Sequence, residues 1–216
     1  LYTLAGNPLV LPVDTDSHNV SAIRIDQDGY IHIACNMHGD VLRYVRSTNP
    51  LDITAWETPG MSGSNETQVS YPRFVEWSDG TMGFHFRAGA SGDGEAYLNI
   101  YNLGARTWSQ RGMMADGEGV SSPYDNHIVV DRNDRLWLSY SWRADGGDSN
   151  TVSDIHLMVS DDKGITFESV DGVAVTLPLL KANTAARVLD TADTNSGISN
   201  QFGLCIDLQG NPHFAT

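Results

Sequence analysis

Positive charge is scarce in this chain. Lys and Arg number 13 against 27 Asp and Glu over 216 residues, a formal net charge of −14. Nucleic acid demands a basic footprint, and an anionic membrane surface demands basic residues as well, so both are excluded as partners. Cysteine is nearly missing: Cys35 and Cys205 cannot make a disulfide framework, which leaves one bridge, two thiols or part of a metal site. No apolar run approaches the roughly 20 residues of a membrane helix. No charged leader surrounds Leu1, so the sequence reads as a mature or trimmed chain. No stretch keeps a helical period. What is there is ordinary for a globular domain: 40% hydrophobic residues, with 5 Trp, 8 Tyr and 6 Phe spread along the chain, which excludes disorder.

Short alternating runs dominate, joined by turn residues. Ser21, Ile23 and Ile25 precede the turn Asp28-Gly29, and Ile31 and Ile33 follow it. An Asp-Gly between two alternating runs is a hairpin signal. The unit recurs around Asp79-Gly80, around Asn133-Asp134 and around Gln209-Gly210, at intervals of 51, 54 and 76 residues. Third strands are expected over 41–46, 97–101 and 155–160, and weaker fourth strands near Trp56, Trp108 and Phe167. Four-stranded repeats at such a period predict an all-β fold, a β-propeller of antiparallel blades. The blades fall near 14–60, 66–112, 121–175 and 198–216, within a single domain over 1–216. Three and a half blades leave open sheet edges, which folded proteins avoid. The expectation is therefore a propeller incomplete at the C-terminus, closed by the rest of its own chain or by a separate segment. Residues 181–200, rich in Thr, Asn, Ser and Ala, read as a long loop between blades, of the kind that carries function.

Ser160, Asp162, Gly164, Thr166 and Phe167 form an S-x-D-x-G-x-T-F string that resembles the Asp-box of BNR repeats in sialidase-like propellers. Its Asp bonds local backbone and its Gly takes a positive φ, so the motif predicts a turn and not a calcium site.

Candidate chemistry gathers at strand ends. His18 and Asn19 enter the first blade; His38 ends its second strand, with His32, Ala34 and Asn36 on the same face and Cys35 on the other, in the core. Tyr71 and Arg73 enter the second blade, where Arg87 lies on the next strand. Tyr124 and His127 enter the third, which Arg143 leaves. Three successive blades thus place His, Tyr or Arg at equivalent ends, as a substrate face requires. Cys205 and His213 flank the last hairpin, with His127 and His156 in the preceding blade, which leaves room for a Cys/His metal site across blades, although no C-x-x-C or H-x-x-x-H spacing accompanies them.

The segments Asp16-Ser17-His18-Asn19, Ser70-Tyr71-Pro72-Arg73, Phe86-Arg87-Ala88-Gly89 and Trp142-Arg143 resemble the BNR-type seven-bladed propeller lyases of polysaccharide lyase family 25, close to family 24, which cleave ulvan. The resemblance covers residues 14–216 and implies a catalytic set of His18, His38, Tyr71 and Arg87, with His18 and His38 separated by 20 positions and Tyr71 and Arg87 by 16. It implies substrate contacts from Asn19, Arg73, Tyr124, His127 and Arg143, a secreted or periplasmic enzyme, no cofactor needed for catalysis and a structural zinc in some members. The implied partner is an anionic sulfated polysaccharide, and the implied reaction is β-elimination. A cation neutralises the uronate carboxylate, a base removes the C5 proton and an acid protonates the leaving oxygen. Arg87 suits the first task because its planar fork pairs with a carboxylate. Tyr71 and His18 suit the others, with His38 orienting His18 or binding substrate; which is acid and which is base stays open, since lyases with two His and no Tyr would use His18 and His38. A Tyr base needs a cation such as Arg87 beside it. The same residues admit two other readings: a sialidase-like glycoside hydrolase with a Tyr nucleophile, and a non-catalytic carbohydrate-binding propeller.

Overall fold

The structure, a computed structural model, describes residues 15–215; the blade boundary expected at position 14 and the terminal Thr216 lie outside it. The chain forms two compact units. The first holds residues 15–88 and 99–110, the second 89–98 and 111–215, among those described. Among the described residues every element but one is a strand, the exception being a 3-10 turn at Ser149–Thr151. Among the described residues no helix is long and apolar enough to cross a membrane.

In the first unit, β1 (Ser21–Ile25), β2 (Ile31–Cys35), β4 (Tyr44–Ser47) and β5 (Trp56–Glu57) make an antiparallel sheet in the order β1-β2-β4-β5, while β3 (His38–Asp40) leaves that sheet to pair with β6 (Val69–Glu76), itself paired with β7 (Met82–Ala90). Two expectations are corrected here. The third strand begins at Tyr44 and not at position 41. His38 does not continue β2, because Asn36 takes φ 61 and breaks the strand after Cys35. Asn is among the few residues that enter this left-handed region at low cost. The break ends the alternation that put His32 and His38 on one face. Cys35 is buried as expected. Ile31, Val45 and Trp56 close one side of the sheet. On the other, His32 packs edge-on against Tyr101 and Trp108, and the Trp108 ring also meets Tyr44 and Phe74.

The strands β8 (Asp93–Asn102) and β9 (Thr107–Asp116) form a hairpin whose tip lies in the first unit and whose remainder lies in the second. The second unit continues with β10 (Ser122–Val130), β11 (Leu136–Arg143), β12 (Val152–Ser160), β13 (Phe167–Glu168) and β14 (Ala174–Val175), antiparallel in that order. Then β15 (Leu179–Leu180) pairs in parallel with Ala115 and Asp116, and β16 (Arg187–Leu189) pairs with β12. The stretch 181–200 is therefore not loop throughout. Ala186 is fully buried and its carbonyl accepts from Leu157 N–H at 2.8 Å, so the segment is docked along a strand edge. A last hairpin, β17 (Gly203–Ile206) with β18 (Pro212–Ala215), packs Leu204 against Trp137, Leu157 and Val159.

The hairpin turns share a construction. Asp26, Asp131 and Asp207 each fold a carboxylate oxygen back onto a backbone N–H four residues on, at 2.8, 3.1 and 2.8 Å. The second oxygen reaches a ring nitrogen six residues on: His32 Nε2 at 3.2 Å, Trp137 Nε1 at 2.9 Å and His213 Nε2 at 3.0 Å. An Asp that closes its own turn and then pins the next strand explains why the sequence repeats an Asp-containing turn here. The string at 160–167 behaves likewise: Asp162 Oδ1 accepts from Ile165 N–H at 3.0 Å and from Thr166 N–H at 2.8 Å, Gly164 sits at φ 85, and Phe167 is buried. The construction makes a prediction. Trp137→Phe removes the N–H from a buried carboxylate and also shrinks a buried indole to a phenyl, so the lost bond and the cavity together should lower stability by about 2–4 kcal/mol. An unchanged urea midpoint would show that neither the ring bond nor the indole packing adds stability here.

Candidate active site

The candidate site lies entirely in the first unit and is built from a turn and three strands. Asp16 starts the turn, its carbonyl accepting from Asn19 N–H at 3.3 Å and its Oδ1 from His18 N–H at 2.9 Å. This Asx-type turn folds the His18 side chain back, so that His18 Nδ1 lies 2.6 Å from the same Oδ1. The other carboxylate oxygen, Oδ2, lies 2.7 Å from His38 Nδ1. One carboxylate therefore spans two imidazoles, and the two rings stack with centroids 4.5 Å apart and planes 18° from parallel. The backbone N–H of His18, then the His18 ring and the His38 ring, hold the Asp16 carboxyl well below the usual carboxylate range.

His38 enters on β3, opposite Ser70 of β6, and Ser70 in turn stands opposite Arg87 of β7. This cross-strand row is tied by the Ser70 hydroxyl oxygen, which accepts from Gly39 N–H at 2.8 Å and from Arg87 Nη2 at 3.1 Å. The ladder then jumps from Ser70↔Arg87 to Arg73↔His85, so Tyr71 and Pro72 share one opposing residue. That is a β-bulge, a device that re-aims a side chain. It puts Tyr71 at φ 54, a conformation that costs a bulky residue roughly 1–3 kcal/mol and persists only where the surroundings enforce it. The re-aimed hydroxyl lies 3.4 Å from His38 Nε2, and Arg87 Cζ lies 4.9 Å from the centre of the Tyr71 ring. Tyr71 and Arg87 are buried, whereas the His18 side chain is 52% exposed.

The four residues named from the sequence as catalytic thus come together. The sequence reading paired Tyr71 with His18; the geometry sets its hydroxyl against His38. Asn19 belongs to the same turn as His18. Arg73 is half-buried on β6, opposite His85. In the second unit Tyr124 is buried beneath Arg143, whose guanidinium carbon is 5.9 Å from its ring, while Arg143 donates to the carbonyls of Asp145 and Gly146 at 2.9 and 2.8 Å. His127 is exposed just past a bulge in β10. Two members of the cluster, Asp16 and Ser70, stand in the sequence only as parts of the resembling segments, with no role of their own. Asp16 stands two residues before a His, a spacing typical of turns everywhere, and Ser70 gains meaning only from strand pairing.

Cys205 and His213 face one another across the β17–β18 ladder. His213 gives its Nε2 to Asp207, as His32 and Trp137 give theirs to Asp26 and Asp131, and a Trp in that role has no metal-binding chemistry. His156 has both ring nitrogens engaged, with Trp142 Nε1 and Asn183 O at 2.9 Å each. A structural zinc needs four closely set donors, and these residues do not supply them. Among the described residues only Asp16, His18 and His38 bring three such atoms within 4.8 Å of one another. Their closest approaches are the carboxylate–imidazole hydrogen bonds already given, which a cation would have to break.

Comparison with known proteins adds three findings. A family model described as "BNR repeat-containing family member" matches residues 3–216. An ulvan lyase from Alteromonas sp. (strain LOR) is 26% identical over 235 residues, covering 93% of this chain and 46% of that protein; one from Nonlabens ulvanivorans is 24% identical over 242 residues, covering 93% and 48%. Among solved structures, a PL25 ulvan lyase bound to -[GlcA(1-4)Rha3S]- superposes with a TM-score of 0.73 at 19% identity, over 92% of this chain and 51% of that one. The chain thus spans about half the length of the curated relatives it matches.

Proposed function

This chain belongs to the BNR repeat-containing family, and from that membership and the Asp16–His18–His38–Tyr71–Arg87 cluster we propose that it carries the catalytic centre of a polysaccharide lyase that cleaves ulvan by β-elimination at a uronic acid. On this reading the sheets are blades of a seven-bladed propeller and the enzyme acts outside the cytoplasm on an anionic sulfated polymer. The observation that carries the proposal is the bulge at Tyr71, which brings a phenol hydroxyl to 3.4 Å from an imidazole nitrogen with a guanidinium over its ring. Likeness to ulvan lyases supports the choice of substrate.

The chemistry follows from placement. His38 Nε2 receives the phenol proton, and the positive charge of Arg87 favours the resulting phenolate. The phenolate takes the C5 proton of the uronate as the C4–O bond breaks and a C4=C5 double bond forms. Tyr71, now protonated, passes that proton to the leaving oxygen, and His38 returns its own to Tyr71. The net change is one proton moved from C5 to the departing sugar. Carbanion character develops beside the uronate carboxylate, and Arg87 is the fixed cation that offsets it. The exposed His18, with Asn19 in the same turn, meets the incoming chain. No step requires a cofactor.

The test is ultraviolet absorbance of the conjugated uronyl product. Absorbance should rise with ulvan and stay flat with heparin, chondroitin and alginate. A flat trace with every polymer, from a chain that still binds ulvan, would replace the lyase reading with a binding propeller.

A further inference from the structure

We infer that Asp16 is the positioning residue that fixes the tautomer of His38, and so decides whether His38 can accept the Tyr71 proton. The inference rests on the lyase reading for its kinetic consequence, but the tautomer assignment stands on geometry alone. A neutral imidazole has one N–H and one bare nitrogen, and the hydrogen bond made by one nitrogen sets the state of the other. Asp16 Oδ2 lies 2.7 Å from His38 Nδ1 and can only accept, so Nδ1 carries the hydrogen. Nε2 is then bare, and it is the nitrogen 3.4 Å from the Tyr71 hydroxyl. The same carboxylate gives His18 the same tautomer through Oδ1 at 2.6 Å. The turn supports this division of labour, because Oδ1 is also anchored by His18 N–H at 2.9 Å, which leaves Oδ2 to His38.

The asymmetry makes Asp16→Asn unusually informative. The anchored Oδ1 position, which accepts two hydrogen bonds, keeps an oxygen in Asn. The amide nitrogen takes the place of Oδ2, and its N–H donors point at His38 Nδ1. His38 must then present a bare Nδ1 and move its hydrogen to Nε2, where it faces the Tyr71 hydroxyl as a donor. The side chain keeps its size, and Tyr71 loses its proton acceptor. A comparable inversion of a catalytic imidazole in serine proteases lowers kcat by about 10,000-fold.

Two measurements on the chain decide the matter. Nitrogen-15 NMR of the imidazoles should show His18 and His38 as Nδ1–H tautomers in the unaltered protein. In Asp16→Asn, His38 should switch to Nε2–H while His18 stays. With ulvan, kcat of Asp16→Asn should fall about 100- to 10,000-fold while KM stays within about threefold. Asp16→Glu, which keeps both acceptor oxygens, should recover roughly tenfold or more of the loss. A His38 that remains Nδ1–H in Asp16→Asn, or a kcat within about threefold of the unaltered protein, overturns the inference. If the unaltered chain turns over no polymer, the lyase reading has failed, and the NMR result still decides the role of Asp16.

Discussion

Tyr71→Phe should abolish turnover of ulvan while leaving ulvan bound. The substitution removes one oxygen and nothing else. The backbone at φ 54 is enforced by the bulge against β7, and Phe accepts that enforcement as Tyr does. Arg87 keeps its place over the ring and its bond to Ser70. What disappears is the only atom of the side chain able to carry a proton, so the loss should fall on kcat, by about 100- to 10,000-fold, the range usual for a general acid or base. Sugar affinity should change by less than about twofold, and the thermal midpoint by less than about 2 °C. The experiment therefore separates three readings. A dead variant that still binds sustains Tyr71 as the proton carrier. A fully active variant hands the chemistry to His18 and His38, the alternative that two-His lyases use. A variant that neither turns over nor binds would mean that Tyr71 holds substrate.

The bulge also marks where sequence reasoning reached its limit. The hairpins were legible because Asp-Gly and Asn-Asp turns follow alternating runs, and because one Asp in most of them closes the turn by itself. The residues of the site were legible as types at strand ends, and partly through resemblance. Their arrangement was not. Asn36 looks like any polar residue on an alternating strand, yet its φ of 61 ends β2 and frees His38 to join β6. Period-two reasoning assumes an unbroken strand, so it placed His38 beside His32 when His38 in fact stands against Ser70. The bulge at Tyr71 escapes for the same reason, since it is set by how β6 and β7 pair and leaves no mark in β6 alone. The strand at Arg187–Leu189 was hidden by composition: its neighbours are Ala, Thr, Asn and Ser, and its stability comes from the edge of β12.

Acid should weaken the second unit through His156, in a pH window that opens above that of the carboxylates. His156 is fully buried, with Trp142 Nε1 2.9 Å from its Nδ1 and the Asn183 carbonyl 2.9 Å from its Nε2. An indole N–H can only donate, so Nδ1 must be the bare nitrogen and Nε2 the donor to the carbonyl. The pocket is complete for the neutral ring. A second proton would set N–H against the Trp142 N–H in a ring shut away from solvent. Burial accordingly lowers the pKa from 6.5 to about 4, opposed in part by the Asn183 carbonyl. In the unfolded chain the same imidazole protonates near 6.5. Stability is therefore full above about 6.5, falls as pH drops toward 4, and levels off below, because only the unfolded state gains the proton within that window. The drop corresponds to about 3 kcal/mol. His32 leans the same way in the first unit, where burial also lowers its pKa, so the total acid loss exceeds the share of His156 alone. His156→Gln isolates that share. Its stability at neutral pH should be lower, yet between pH 7 and pH 4 it should lose about 3 kcal/mol less than the unaltered protein in urea titrations followed by tryptophan fluorescence. Parallel pH profiles for the two proteins would show that His156 is not held neutral by this pocket.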